Sequence, residues 1–198
     1  MPSSFSEWIG FVPDLISIAL TAVAVKWLDD YIDDEPYIES FRAGPAYGML
    51  AVLLAAALDF PLTFTLFAAC YIVGMFNSLT LKLPSGLPSW AEALLIFGAS
   101  ALLSGLWTAL WAVTVIISVQ ILDDMLDLGD DRNHNRTNTA AQLGIERTGL
   151  IFLFCFYLSL VIEPLLSTAV LAVALFVSNV LFTKLAGGVN INASFNSD

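Results

Sequence analysis

The sequence predicts an all-α protein, a polytopic transmembrane bundle of about seven helices arranged as two parallel repeats. Its 198 residues are 58% hydrophobic, and only 13% are charged, about half of the quarter that is usual in a soluble domain. The mean hydropathy is +0.82. The formal net charge of −11 also argues against a peripheral protein, because such proteins usually bind anionic lipid through Lys and Arg. We therefore expect an integral membrane protein.

The helices are predicted from the length of the apolar runs. A bilayer core about 30 Å thick needs roughly 20 helical residues, and fewer where neighbouring helices shelter the ends. Turn signals at Asp59-Phe60-Pro61, Ser104-Gly105 and Glu163-Pro164 divide the longer runs. The predicted spans are residues 8–28, 44–58, 61–79, 90–103, 105–122, 150–162 and 165–185.

The basic residues predict the orientation. With the first helix running inward, all 7 Lys and Arg residues fall on the cytoplasmic side, as the positive-inside rule requires. We expect a protein of the cell membrane with its N-terminus outside and its acidic motifs and C-terminus in the cytoplasm. Residues 1–187 are predicted to form one transmembrane domain, and residues 188–198 a flexible polar tail.

Two acidic motifs indicate an internal duplication. VKWLDDYIDD, beginning at Val25, and VQILDDMLDL, beginning at Val119, share the pattern V-x-x-L-D-D-x-x-D, with Asp29 and Asp123 94 positions apart. Each motif ends a predicted span on the inner side. The sequence therefore predicts parallel repeats at about 8–82 and 90–185, whose acidic ends can face each other across a bundle.

Helical spacing places the carboxylates of each motif on one face of its helix. Residues three or four apart share a face, so Asp30 and Asp33 form one ridge, and Asp124, Asp127 and Asp131 form another. Mg²⁺ offsets the repulsion best, because it takes one or two carboxylates and leaves positions for phosphate oxygens. A solvated acidic helix end that only anchors the helix at the interface would explain either motif by itself.

Basic residues near the motifs suggest an anionic ligand. Arg132 and Arg136 follow the second motif, and Lys82 lies in the predicted inner loop between the repeats. Guanidinium groups suit bidentate contact with phosphate. The positive-inside rule by itself also explains where these residues lie, and a residue that sets the membrane topology can also bind a ligand.

These motifs resemble those of the UbiA-type intramembrane prenyltransferase superfamily. Residues D124-M-L-D127-L-G-D-D131, followed by R132, R136-T137 and L143-G144, fit the second family motif D-x-x-D-x-x-x-D, which continues as G-D-R…[KR]-T…LG. The loop N77-S78-L79-T80-L81-K82 is similar to the family's Y-S-x-x-L-K. In the first motif, Asp29 stands where Asn is usual and Tyr37 where the last Asp is expected, so Asp34 is the candidate to replace it. The predicted helices correspond to the family's second through eighth.

The resemblance implies Mg²⁺-dependent ionisation of an allylic prenyl diphosphate and transfer of the prenyl group to an aromatic or lipid acceptor. Mn²⁺ can replace Mg²⁺ in such chemistry. The implied metal ligands are Asp29, Asp30, Asp33, Asp34, Asp124, Asp127 and Asp131. Lys82, Arg132 and Arg136 would stabilise the departing pyrophosphate. The implied partners are the donor, a hydrophobic acceptor and the bilayer, with no nucleic acid, and a homo-oligomer is compatible with this set.

Other functions fit the same residues. A terpene cyclase on this scaffold would use the same ionisation without an acceptor. A divalent-cation transporter or a non-catalytic lipid-binding protein would also carry paired carboxylates. Hydropathy excludes a soluble prenyl diphosphate synthase, and the missing D-G-x-x-A-R signature argues against a CDP-alcohol phosphotransferase.

Overall fold

The apolar runs fold into helices throughout the part of the chain that the structure describes. A computed structural model describes residues 5–32, 44–75, 79–129 and 138–178. Its helices are α1 (Phe5–Ile32), α2 (Gly44–Leu58), α3 (Phe60–Gly74), α4 (Ser89–Ser104), α5 (Leu106–Leu126), α6 (Thr139–Leu143), α7 (Ile145–Ile162) and α8 (Pro164–Phe176). Within these ranges no β-strand forms, and the only isolated bridge joins Lys82 to Pro88. The all-α prediction is confirmed.

Three of these helices are long and apolar enough to cross a membrane. They contain the candidate spans Gly10–Asp29, Leu106–Leu126 and Ile145–Ile162. Helices α2, α3, α4 and α8 are also apolar but have only 13 to 16 residues, about 20–24 Å of helix. The predicted number of seven spans, their orientation and the parallel repeats remain predictions.

Most predicted helix boundaries agree with the structure. The break near Ser104-Gly105 is confirmed: Gly105 has φ 91° and ψ 151°, a conformation that glycine adopts without a Cβ penalty. The predicted end of the third helix at Leu79 was wrong, because α3 ends at Gly74 and the Leu79 carbonyl accepts a hydrogen bond from Trp90 N at 3.2 Å. Helix α7 begins at Ile145, five residues before the predicted start, because its first turn is polar and escapes a hydropathy criterion.

Among the described helices, four junctions consist of a single residue, and all of them use the same backbone bonds. The N–H of the junction residue donates to the carbonyl four residues before it, and its carbonyl accepts from the N–H four residues after it. These junction residues are Asp59, Gly105, Gly144 and Glu163, with N···O distances of 2.9 to 3.1 Å. Each residue therefore closes one helical ladder and opens the next.

The chain divides into two units, which we describe separately. The first contains Met1–Phe64 and Ala172–Asp198, and the second contains Thr65–Leu171. In the first unit, α1 packs antiparallel along α2, with Trp27 against Gly44 at one end and Ser17 against Ala55 near the other. The buried positions of α2 are all small: Gly44, Gly48, Ala51 and Ala55. Small residues allow two backbones to approach closely.

A hydroxyl pair reinforces the junction between α2 and α3. Thr63 Oγ1 donates to the Asp59 carbonyl at 2.7 Å and lies 2.8 Å from Ser17 Oγ of α1. Both hydroxyl groups are buried, and the Asp59 carboxylate accepts from Leu62 N at 2.9 Å. The junction is therefore tied to the long helix α1.

The second unit has a similar arrangement at the junction between α7 and α8. Helix α5 packs along α7 and also contacts α4 and α6. Ser167 Oγ donates to the Glu163 carbonyl at 2.6 Å and accepts from Trp111 Nε1 of α5 at 2.8 Å. Trp111 is fully buried. Ser17 and Trp111 stand 94 positions apart, the same separation as Asp29 and Asp123.

We predict that Gly44→Ala destabilises the protein. A Cβ at this position would overlap Nε1 of the Trp27 indole, which is held by stacking on Tyr47 with ring centroids 6.3 Å apart. Overpacking of this kind costs about 1–3 kcal/mol, measurable as the free energy of unfolding in detergent. Gly98→Ala is the control, because nothing lies within 4 Å of its added Cβ. Equal stability of the two variants would contradict the close contact.

We also predict that Ser167→Ala costs about 1 kcal/mol of unfolding free energy, because it leaves buried Trp111 Nε1 without its acceptor. Thr168→Ala is a matched control. Thr168 is the next residue and also donates to the carbonyl four residues before it, but it is exposed. Its loss should stay below about 0.5 kcal/mol. Equal losses at both positions would show that the Trp111 bond contributes nothing.

Candidate functional site

The described residues include about half of the predicted site. The side chains of Asp29, Asp124, Asp127 and Lys82 are described, and Asp30 lies in the last turn of α1. Asp33, Asp34, Asp131, Arg132 and Arg136 lie outside the described residues. Asp29 belongs to the first unit, whereas Asp124 and Asp127 belong to the second. Within the described ranges, no three His, Cys, Asp or Glu side chains form a group that could hold a metal ion, so the full ligand set remains a prediction.

The acidic end of α1 contains a weak internal ion pair. Lys26 Nζ lies 3.8 Å from Asp29 Oδ2, with the two side chains 23% and 60% exposed. Exposed pairs at this spacing contribute only about 0.3–0.5 kcal/mol. The pair with Lys26 therefore stabilises this helix end only weakly.

The acidic end of α5 is more elaborately bonded. Asp123 and Asp124 lie in the last turn, and Asp127 is the C-cap residue, whose N–H donates to the Asp123 carbonyl at 2.9 Å. Acidic groups at a helix C-terminus face the negative end of the helix dipole, at a cost of about 0.3–1 kcal/mol each. This placement is unfavourable for stability, and a positive partner would offset the cost.

Asn138 brings the chain back to this acidic end. Its Nδ2 donates to the Asp124 carbonyl at 2.7 Å, and its Oδ1 accepts from Ala141 N at 3.0 Å as the N-cap of α6. Thr139 N donates to Asp124 Oδ2 at 3.0 Å. Asn138 is 2% exposed, so these bonds are shielded from water. The connection that contains Arg132 and Arg136 therefore starts at Asp127 and ends against Asp124.

The donor set at this end fits Mg²⁺. A carboxylate offers about four lone-pair positions, so the bonds from Thr139 N to Oδ2 and from Gln120 Nε2 to Oδ1 still leave Asp124 able to ligate a cation. Asp124 and Asp127 are one helical turn apart, and both carry the hard oxygen ligands that Mg²⁺ prefers. Two carboxylates match its usual protein contribution, with water and phosphate oxygens completing the shell.

Lys82 lies in a hairpin formed by residues 79–90, which we call the Lys82 hairpin. Ser89 N donates to the Leu81 carbonyl at 2.9 Å and Leu83 N to the Leu87 carbonyl at 3.0 Å, so backbone bonds flank Lys82 on both sides. Lys82 is exposed and pairs with Pro88, the residue before α4. The hairpin and the acidic end of α5 both lie at the helix ends remote from Gly105.

Two polar residues near the site were not singled out by the sequence. Asn138 precedes T-A-A-Q, and an Asn before a short helical stretch is an N-cap signal that predicts α6. Glu92 lies in the first turn of α4 and accepts hydrogen bonds from Tyr71 of α3 and Ser85 of the Lys82 hairpin. No local pattern identifies those two partners.

Comparison of the chain with protein-family models, with curated proteins and with solved structures gave no match. The resemblance to UbiA-type prenyltransferases therefore depends on the motifs of the sequence. The structure contributes independent information on which polar groups surround those motifs.

We predict that Asp124→Ala and Asp124→Asn differ in their effect on the Asn138 connection. Asn keeps an oxygen that can accept from Thr139 N, whereas Ala removes it. Amide hydrogen exchange at Thr139 should accelerate about tenfold or more in Asp124→Ala and stay near the wild-type rate in Asp124→Asn. Equal exchange in the two variants would show that the carboxylate does not hold α6.

Proposed function

We propose that the protein is an intramembrane Mg²⁺-dependent prenyltransferase, which ionises an allylic prenyl diphosphate and transfers the prenyl group to an aromatic or lipid acceptor. One observation carries the proposal. Asp124 and Asp127 end an apolar helix, Asn138 Nδ2 donates to the Asp124 carbonyl, and the sequence between Asp127 and Asn138 contains Arg132 and Arg136. Carboxylates followed closely in the sequence by guanidinium groups suit a metal-bound diphosphate.

Each residue has a role in this proposal. Asp124, Asp127 and Asp131 would hold Mg²⁺ for the diphosphate, and Asp29, Asp30, Asp33 and Asp34 are the further candidate ligands. When bound, the metal would supply positive charge to the diphosphate, which would leave with the electron pair of the allylic C–O bond. Lys82, Arg132 and Arg136 would stabilise that leaving group. The apolar helices would exclude water until the acceptor attacks the allylic carbon and loses a proton.

The membrane location and the repeats belong to the same proposal. Large apolar side chains such as Leu102 and Trp107 are 91% and 71% exposed, which suits contact with lipid. The bonds of Ser17 to Thr63 and of Trp111 to Ser167 support two parallel repeats, because each ties the long helix of a predicted repeat to an acidic junction residue later in that repeat, Asp59 or Glu163. We infer an integral protein of the cell membrane with both acidic ends in the cytoplasm.

A divalent-cation transporter is the second candidate, and Asp14 favours it. This residue lies inside the candidate span Gly10–Asp29. Ionisable residues inside membrane spans are rare and usually functional. Asp29, Asp124 and Asp127 lie instead at helix ends, where a metal can meet a diphosphate from the aqueous side.

The proposal predicts that purified protein with Mg²⁺ releases pyrophosphate from allylic prenyl diphosphates. Asp124→Asn should lower the rate by about 100-fold or more, because it removes a charged ligand and keeps the bond from Thr139. Glu146→Gln, an exposed acid in the first turn of α7, is the control and should leave the rate unchanged.

The same preparation tests the alternatives. Prenylated acceptor among the products indicates a transferase, whereas a cyclised hydrocarbon formed without acceptor indicates a cyclase. Absence of pyrophosphate release, with Mg²⁺ or Mn²⁺ uptake into liposomes that Asp14→Asn abolishes, would replace the prenyltransferase by the transporter.

A further inference from the structure

Backbone bonds join the base of the Lys82 hairpin to α4 but do not join its tip to a helix. Trp90 N and Ser89 N pair the base with α4, because both residues belong to that helix. At the tip, Gly86 N donates to the Leu83 carbonyl at 2.8 Å and Leu87 N to Ser85 Oγ at 3.2 Å. These contacts close the turn on itself, and they do not attach it to a helix.

Glu92 makes that attachment. Its Oε1 accepts from Ser85 of the tip and its Oε2 from Tyr71 of α3, so one carboxylate joins the hairpin, α3 and α4. The spacing of Ser89 and Glu92 is that of a capping box, but the N-cap of α4 is Pro88, and Ser89 Oγ donates to the Leu81 carbonyl at 3.0 Å. The hydrogen bonds of Glu92 therefore hold the hairpin.

We propose that Glu92 is a positioning residue that holds the Lys82 hairpin against α3 and α4 and thereby sets the affinity of Lys82 for a diphosphate group. The inference rests on the proposed function in naming diphosphate as the ligand. Glu92 acts by restricting the motion of the hairpin. A tethered tip keeps the Lys82 backbone in place, whereas a loose tip loses conformational entropy when the anion binds. Both partners of Glu92 are neutral hydroxyl groups that donate to its carboxylate, so the role depends on hydrogen bonds and not on an ion pair.

The test uses the full-length protein in detergent with two measurements. Amide hydrogen exchange at Leu83, Gly86 and Leu87 reports the order of the hairpin. Protection of Lys82 from amine acylation by inorganic pyrophosphate with Mg²⁺, read by mass spectrometry, reports anion binding without catalysis.

Glu92→Ala should accelerate exchange in the hairpin and raise the pyrophosphate concentration for half-protection of Lys82 by about tenfold. Glu92→Gln should remain within about twofold of wild type, because the amide oxygen can accept from one hydroxyl group and the amide NH₂ can donate to the oxygen of the other. Ser85→Ala changes an exposed residue and should shift both measurements in the same direction as Glu92→Ala. Glu146→Ala, another first-turn glutamate, should change neither.

The outcomes separate the inference from the proposed function. Unchanged exchange in Glu92→Ala, or faster exchange with unchanged protection, overturns the positioning role alone. If Glu92→Gln loses as much pyrophosphate protection of Lys82 as Glu92→Ala does, the positioning role through hydrogen bonds is also overturned, because the negative charge of Glu92 would then be the requirement. If pyrophosphate fails to protect Lys82 in the wild-type protein, the diphosphate site itself is wrong, and the inference fails with it.

Discussion

The fold depends on one constraint, that an apolar chain must keep its backbone hydrogen bonds when it changes direction. Inside a membrane no water replaces a lost partner, and an unsatisfied backbone group costs several kcal/mol. At Asp59, Gly105, Gly144 and Glu163, a single residue ends one helix and begins the next, so its N–H and C=O are both bonded. Short helices can therefore follow each other without an exposed loop.

Side-chain hydroxyl groups extend this solution to contacts between helices. Thr63 and Ser167 each bond the carbonyl of an acidic junction residue and a polar group on a long helix. The long-helix partners differ, a hydroxyl in Ser17 and an indole in Trp111, although their positions correspond. Packing of small residues along α2 adds close van der Waals contact in the first unit, where apolar side chains gain little from burial against lipid.

At the polar ends of the helices, electrostatic repulsion is the main interaction. At the C-terminal ends of α1 and α5, the acids of each helix oppose its dipole and repel one another within that helix. They therefore weaken the fold unless a cation is present. The hydrogen bonds around Asp124 and Glu92 come from neutral groups, Asn138 and Thr139 at Asp124 and Tyr71 and Ser85 at Glu92, whereas Asp29 pairs with the charged Lys26. Neutral donors hold the loops in place without consuming the positive charge that a diphosphate would need. Asp124 can therefore be both a structural hydrogen-bond acceptor and a candidate metal ligand.

The sequence by itself determined the helical class, the break at Gly105 and the acidic ends of two long helices. These features depend on hydropathy and local backbone preference, and both can be read from residues that are neighbours in the sequence. It missed the end of α3, because Leu79 is apolar enough to extend a predicted span although its carbonyl accepts from Trp90 N. It also missed the Lys82 hairpin, in which the carbonyl of the apolar Leu81 accepts from Ser89 N. Tertiary structure alone decided that Asn138 bonds Asp124 and that Glu92 bonds Tyr71, partners 14 and 21 positions apart. Such contacts depend on how helices and loops pack, and no local periodicity records them.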